Sequence, residues 1–231
     1  MTYRLIPVLL LCLLTFTTNS NTAKVSLTEL PFNTLSKAEL VYENLNAKEF
    51  DLPSFPSFTQ ALNGYFKLKE TGKLQKSLLT VVDFSLSANE KRLWVIDLEL
   101  KEVLYQTYVA HGRNTGSEYA KSFSNVPESF QSSLGFYATA ETYYGKHGYS
   151  LRLDGLESGI NDKARERAIV IHGADYATEN FIKTYGRLGR SLGCPSLPQE
   201  ESETIINTIK EKSCLFIYFP SDDYVSKSQL I

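Results

Sequence analysis

The chain is constrained most by one stretch, Ile169 to Leu197, reading IVIHGADYATENFIKTYGRLGRSLGCPSL. A short apolar, β-branched run leads straight into His172-Gly173, and Cys194, in Ser191-Leu192-Gly193-Cys194-Pro195, follows 22 residues after that histidine. A histidine at a strand end and a cysteine in a glycine turn are the residue types of a base and a nucleophile. A free thiol titrates near ~8.5, so at neutral pH only a few per cent is thiolate, and an imidazole close by takes its proton and holds the ion pair. Gly193, without a Cβ, permits a tight turn that exposes the sulfur and lets a substrate carbonyl approach main-chain N–H groups, expected to be those of Gly193 and Cys194. Acyl transfer is the reaction class this pattern predicts.

The text before this stretch has two textures. Ser36 reads as an N-cap with Glu39 completing a capping box, and Leu40, Val41 and Leu45 share one face of the helix that follows. The prolines of Asp51 to Pro56 end it. A second helix is predicted over Ser57 to Lys69, with Phe58, Ala61, Leu62, Tyr65 and Phe66 at helical spacing, a stripe read as packing against the main domain. From Leu79 the period changes to that of strands. Leu79–Ser85, Arg92–Leu98 and Val103–Ala110 form a predicted antiparallel meander, followed by a long polar loop over His111 to Asn125 of the kind that carries binding residues. Further strands are expected from Ser133 and over Tyr143 to Leu153, and helices over Lys163 to Arg167, Thr178 to Thr184 and Glu200 to Lys212. Cys214 to Phe219 is the closing strand. The sum is a mainly β fold with short helices.

Residues 1–23 read as a secretory signal, with Arg4 ahead of the apolar run Leu5 to Phe16 and a small, polar tail whose cleavage point falls after Ser20 or Ala23. About 12 apolar residues are too few for the ~20 a bilayer requires, so no membrane span is expected in the mature chain. The protein is therefore expected to be exported, to periplasm or cell envelope. With 24 basic and 26 acidic residues the net charge is −2, which gives nucleic acid no electrostatic footprint. Oligomeric state is not legible.

After signal removal two cysteines remain, Cys194 and Cys214. In an exported protein such a pair forms a structural disulfide by simple counting, and a disulfide-stapled binding module is the rival reading. The contexts differ, however. Cys214 lies in an apolar strand-like run, and Cys194 in a glycine turn with a histidine upstream, which favours a free catalytic thiol. His111, His147 and His172 lack the short spacing of zinc ligands and the carboxylates offer no ligand motif, so neither a metal nor another cofactor is expected. His111, in Ala110-His-Gly-Arg113, is weighed as a cleft residue against an ordinary polar loop histidine.

His172-Gly173 with Ser191-x-Gly193-Cys194 resembles the active-site signature of the L,D-transpeptidases of bacterial cell walls, the YkuD-like catalytic domain. The strings VVDFS, RLWVIDL, VAHG, FSN, SSLGFY, YGKHGYSLRLDGLE and GRLGRSLGCP are similar to those of its murein L,D-transpeptidase branch, in order from about Leu78 to Pro220. The resemblance implies an L,D-transpeptidase-like β-sandwich over residues 77–231, preceded by a small helical segment at 24–76. It implies Cys194 as nucleophile, His172 as base, Ser191 and Gly193 as orienting residues, and peptidoglycan stem peptides as substrate. Gly173, His147, Tyr144 and His111 become candidate substrate-binding residues. Two departures stand out, Leu192 where members carry a second histidine and Ser196 where they carry arginine or asparagine. Arg187 or Arg190 is expected to bind the peptide carboxylate instead. The acceptor is an amine, giving 3→3 cross-links, or water, giving an L,D-carboxypeptidase. A cysteine peptidase acting on other bonds is the remaining enzymatic alternative.

Overall fold

A computed structural model describes residues 36–231; the expected signal at 1–23 lies outside the described residues. The first two elements are helices, α1 (Lys37–Glu43) and α2 (Phe55–Glu70). Ser36 Oγ accepts the Glu39 N–H at 3.2 Å and the Glu39 carboxylate accepts the Ser36 N–H at 2.6 Å, the reciprocal capping box the sequence spells out. Helix α2 begins two residues earlier than the sequence reading has it. Ser54 caps it and Pro56 sits in its first turn, where a missing N–H costs nothing.

Phe58, Ala61, Leu62, Tyr65 and Leu68 form the buried side of α2, while Phe66 is only partly covered. Burial of each large apolar side chain stabilises the fold by roughly 1.5–3 kcal/mol, which holds the helix on the sheet. The approach is close. A Cβ at Gly64 would stand 2.0 Å from the Phe136 ring.

Eight strands make one sheet: β1 (Leu78–Asp83), β2 (Leu93–Asp97), β3 (Glu102–Thr107), β4 (Gly135–Gly145), β5 (Gly148–Gly155), β6 (Val170–Ala174), β7 (Ser196–Pro198) and β8 (Cys214–Tyr218). Their order is β3-β2-β1-β8-β4-β5-β6-β7. The expected meander is present as β1 to β3, and β4 and β5 form a hairpin turning at Lys146-His147. The closing strand β8 enters the middle, parallel to β1 and antiparallel to β4. All five of its residues are buried, which explains why it reads as a continuous apolar run rather than an alternating one.

The two ends of the sheet approach each other. Ala110, just beyond β3, exchanges backbone hydrogen bonds with Ser196 of β7, at 2.9 and 3.4 Å, and Gly112 bridges Ser191. The sheet is thereby curled almost shut, and it presses the His111 loop against the nucleophile loop.

Three further helices are α3 (Glu179–Tyr185), capped by Thr178 and ended by Gly186 at φ 75°, α4 (Gln199–Ile209) and α5 (Asp222–Lys227). Ile205, Ile206 and Ile209 of α4 face inward as expected. The expected helix over Lys163 to Arg167 is instead a series of turns. The Lys163 N–H goes to Asn125 Oδ1 and the Ala164 N–H to Asn161 O, and Ala168 adopts φ 52°, which breaks the helical path before β6.

Candidate active site

Cys194 lies in the loop between α3 and β7, with a half-buried side chain. Gly193 before it has φ 127°, and a Cβ there would stand 2.9 Å from Gln131 O and 3.1 Å from Ile169 Cδ1. Only glycine fits this position. Ser191 knots the turn, since its Oγ accepts the Gly193 N–H at 3.0 Å and donates to Cys194 O at 2.7 Å. Ser132 Oγ donates to Gly193 O at 3.0 Å. The Gly193 N–H, expected as an oxyanion donor, is thus committed to Ser191.

The Cys194 sulfur lies 3.8 Å from Ala168 O. Burial pushes the thiol above its ordinary pKa, and the Val170 N–H and the Arg167 guanidinium work against that rise. Cys214 is also a free thiol, 0 % exposed in β8 and held protonated by burial, so the Cys194–Cys214 disulfide of the rival reading is absent.

His172, on β6, is 2 % exposed. Its Nδ1 lies 2.8 Å from Gly173 O, and because a carbonyl only accepts, Nδ1 carries the proton. Nε2 is then the acceptor of the Ser196 hydroxyl at 2.9 Å, and Ser196 Oγ in turn accepts from Tyr176 Oη at 3.0 Å. Strand pairing produces this arrangement, for His172 and Ser196 are register partners across the parallel β6–β7 ladder. Burial, and then the His147 ring stacked with centroids 4.3 Å apart, lower the pKa of His172, while the bond to Gly173 O opposes them. The imidazole is neutral at pH 7 and able to accept a proton.

The other sequence candidates are dispersed around this centre. His147 is exposed at the β4–β5 turn and, with Lys146, Asp175, Tyr176 and Gln199, lines a cavity of about 420 Å³ beside His172. Tyr144 is 79 % exposed, with its ring against Tyr149 at 5.2 Å, and does not line that cavity. A Cβ on Gly173 would meet Ser202 Oγ at 2.5 Å and Gln199 Oε1 at 2.6 Å, so α4 packing requires this glycine.

His111 is a correction to the sequence reading. It is 1 % exposed, its Nδ1 accepts from Arg92 Nη2 at 2.8 Å, and its Nε2 donates to Gly116 O at 3.3 Å. Burial and the adjacent guanidinium hold its pKa down at about 4, and burial lowers that of Arg92 to about 9. Its ring supports the loop from inside, while its backbone carbonyl accepts the Ser191 N–H at 2.9 Å.

Arg187 and Arg190 do converge. Together with Arg113, Tyr176, Phe181 and Gly189 they line a cleft of about 430 Å³, which shares Tyr176 with the His147 cavity. Arg187 donates to Leu188 O and Arg190 to Arg113 O and Gly116 O, and among the described residues none of the three arginines forms a salt bridge. Neutral backbone acceptors leave these charges uncompensated, which suits an anionic ligand.

Ser196, Tyr176 and Arg113 escaped the sequence reading as site residues. Ser196 stands two residues beyond Cys194 on a three-residue strand, too short for any periodicity to announce. Among the described residues no group of three or more His, Cys, Asp or Glu side chains is placed to hold a metal ion, and no helix is long and apolar enough to cross a membrane.

Comparison with known proteins gives one match that spans most of the chain. The profile of the L,D-transpeptidase catalytic domain matches residues 51–218, from the end of the α1–α2 connection through β8. No curated protein sequence matches. Solved structures with partial likeness include L,D-transpeptidases from Mycobacterium smegmatis (12 % identity, TM-score 0.39), Mycobacterium tuberculosis (14 %, 0.35) and Xylanimonas cellulosilytica (11 %, 0.35). Each alignment covers 62 % of this chain and 59, 58 and 61 % of the respective structure, so the chain spans about three-fifths of the proteins it matches.

Proposed function

Because the chain belongs to the L,D-transpeptidase catalytic domain family, we propose that it transfers acyl groups of peptidoglycan stem peptides through a thioester on Cys194. The observation that carries this reading is the free, half-buried Cys194 thiol on a glycine turn, together with a neutral histidine whose Nε2 accepts the hydroxyl of Ser196, two residues beyond that cysteine.

In the proposed course, the Cys194 thiolate attacks the carbonyl of the third residue of a stem peptide. The thiol proton passes to His172 Nε2, directly or through the Ser196 hydroxyl that bonds to it. The tetrahedral intermediate collapses, the C–N bond breaks, and His172 returns the proton to the departing D-alanine amine. The thioester then passes to an amine of a second stem, making a 3→3 cross-link, and the acceptor amine loses its proton to the imidazole. Ser191 and Gly193 hold the sulfur in place. Arg187 and Arg190, with Arg113, are assigned to the carboxylates of the peptide, the role left open by Ser196 in the family signature. The His147 side of His172 takes the other strand of the substrate pair. Stem peptides lie outside the cytoplasmic membrane, so the reading entails export, in keeping with the signal-like residues 1–23.

The test is mass spectrometry of purified tetrapeptide muropeptides incubated with the protein and with Cys194→Ala. Dimers joined through third residues, formed with loss of D-alanine and only by the unaltered protein, are the expected result. Monomeric tripeptide alone moves the assignment to an L,D-carboxypeptidase. An unchanged substrate with folded protein and free thiol overturns it.

A further inference from the structure

A thiolate on Cys194 requires a positive partner, and His172 is poorly arranged to be one. Its Nδ1–H is given to Gly173 O, its Nε2 receives the Ser196 hydroxyl, and burial keeps the ring neutral. A permanent charge stands against the nucleophile turn, Arg167 Nη2 lying 3.5 Å from where a Gly193 Cβ would be. Arg167 lies near the end of the series of turns before β6, one residue ahead of Ala168, whose carbonyl is the Cys194 Sγ partner at 3.8 Å.

The Arg167 guanidinium is half-buried and rigidly held. Nη1 donates to Ser124 O at 2.7 Å and to Ser133 Oγ at 2.5 Å, and Nη2 donates to Gln131 O at 2.6 Å and to Ser129 Oγ at 3.3 Å. All four acceptors are neutral, and among the described residues no carboxylate forms a salt bridge with it. The nucleophile turn leans on this knot. The point where a Gly193 Cβ would stand is 2.9 Å from Gln131 O and 3.5 Å from Arg167 Nη2. Two other titratable groups face the pair, Tyr137 near the guanidinium and Tyr176 near the sulfur, and burial keeps both phenols protonated. A thiolate is thus the one anion available to this guanidinium among the groups around it.

We propose that Arg167 is a positioning residue for the nucleophile, acting as the fixed counter-charge of the Cys194 thiolate while its hydrogen bonds seat the Gly193–Cys194 turn. Buried charges without a partner are costly, and a charge held ready beside the nucleophile turn lowers the cost of the thiolate that forms as His172 takes the thiol proton. The Arg167 field on Cys194 acts in that direction. His172, neutral at rest, remains the base that takes that proton and returns it to the leaving amine. The inference rests on the reading of Cys194 as the nucleophile.

The experiment measures the pH dependence of Cys194 alkylation by iodoacetamide in a Cys214→Ala background, which reads the thiol alone and needs no peptidoglycan. Arg167→Gln is expected to raise the apparent thiol pKa by a unit or more, about a tenfold slower reaction at pH 7. Arg167→Lys, which keeps the charge, shifts it by less than half a unit, and Ser133→Ala, which removes a loop hydrogen bond but no charge, leaves it unchanged. Thermal unfolding of each variant runs in parallel. If Arg167→Gln does not fold, Arg167→Lys decides: a pKa close to the unaltered protein's supports the counter-charge, and a rise of a unit or more overturns it. An unshifted Arg167→Gln thiol also overturns it, as does a Ser133→Ala shift equal to that of Arg167→Gln. A thiol that responds to Arg167 in a protein that turns over no stem peptide overturns the substrate reading and leaves this inference standing.

Discussion

Ser196 Oγ stands 2.9 Å from His172 Nε2, fixed there because the two residues are register partners in the β6–β7 ladder. The hydroxyl donates to the neutral imidazole, so it stabilises the unprotonated form. Ser196→Ala removes that bond, and a net hydrogen bond of roughly 1 kcal/mol corresponds to a His172 pKa higher by somewhat less than a unit. The acid limb of the rate–pH profile is expected to move up accordingly, with turnover reduced by up to about tenfold on that limb and by a few-fold at most at neutral pH. Tyr176→Phe, one bond further from the ring, is expected to show a smaller change of the same sign. A pH–rate series on both variants measures this, and an unmoved limb in Ser196→Ala would exclude the relay.

The two thiols predict opposite behaviour. Cys194→Ala is expected to abolish turnover with the fold intact, whereas Cys214→Ala, which trims a residue buried between β1 and β4, keeps full activity and lowers stability by roughly 1 kcal/mol. Activity assays paired with urea titrations separate the two.

Gly193→Ala combines a backbone at φ 127° with a Cβ only 2.9 Å from a carbonyl oxygen. A loss of about 2 kcal/mol or more in stability, together with loss of rapid alkylation at Cys194, is expected. Gly72 is the control: at φ 70° with nothing within 4 Å, its replacement by alanine costs only the left-handed backbone term of roughly 1 kcal/mol and leaves activity unchanged. Equal losses in both variants would remove the steric argument.

His111 makes stability fall as the medium is acidified. Its folded-state pKa of about 4 lies below the ordinary 6.5, so between these values the unfolded chain takes a proton that the folded chain does not. Stability attributable to this ring is fully present above about pH 6.5 and decreases toward pH 4, by on the order of 3 kcal/mol. Burial lowers His172 in the same direction. Urea unfolding at pH 7, 5.5 and 4.5 is expected to show a shallower pH slope in His111→Asn, whose side-chain oxygen still accepts from Arg92. An unchanged slope would relocate the effect to another group.

The cleft of Arg113, Arg187 and Arg190 predicts recognition of anionic peptide. Arg187→Gln is expected to raise KM severalfold for a tetrapeptide stem with kcat little changed, and to have no effect on a substrate whose carboxylates are amidated. Steady-state kinetics on the two substrates check it, and an equal effect on both would mean that the charge is not read.

Local chemistry decided what the sequence alone determined. The Ser36–Glu39 capping box, the apolar stripe of α2, the β1–β3 meander, the inward isoleucines of α4 and the glycine turn at Cys194 all follow from patterns within a few residues, because caps, periodicity and turn geometry are short-range. Pairing at a distance needed the tertiary structure. No local pattern reports that β8 runs parallel to β1, that Ala110 meets Ser196, or that a parallel register sets Ser196 opposite His172. The same holds for burial: His111 reads as a polar loop residue, and only the closure of the sheet shows it sealed against Arg92. Arg167 sat within a segment expected to be helical, where an arginine is an ordinary surface residue. The turns before β6 and the loop over Ser124 to Ser133 fix its guanidinium against the Gly193 turn. The acyl-transfer expectation rests on residue type and spacing, which are local, whereas the environment that tunes each group is assembled from elements dozens of residues apart and exists only in the folded chain.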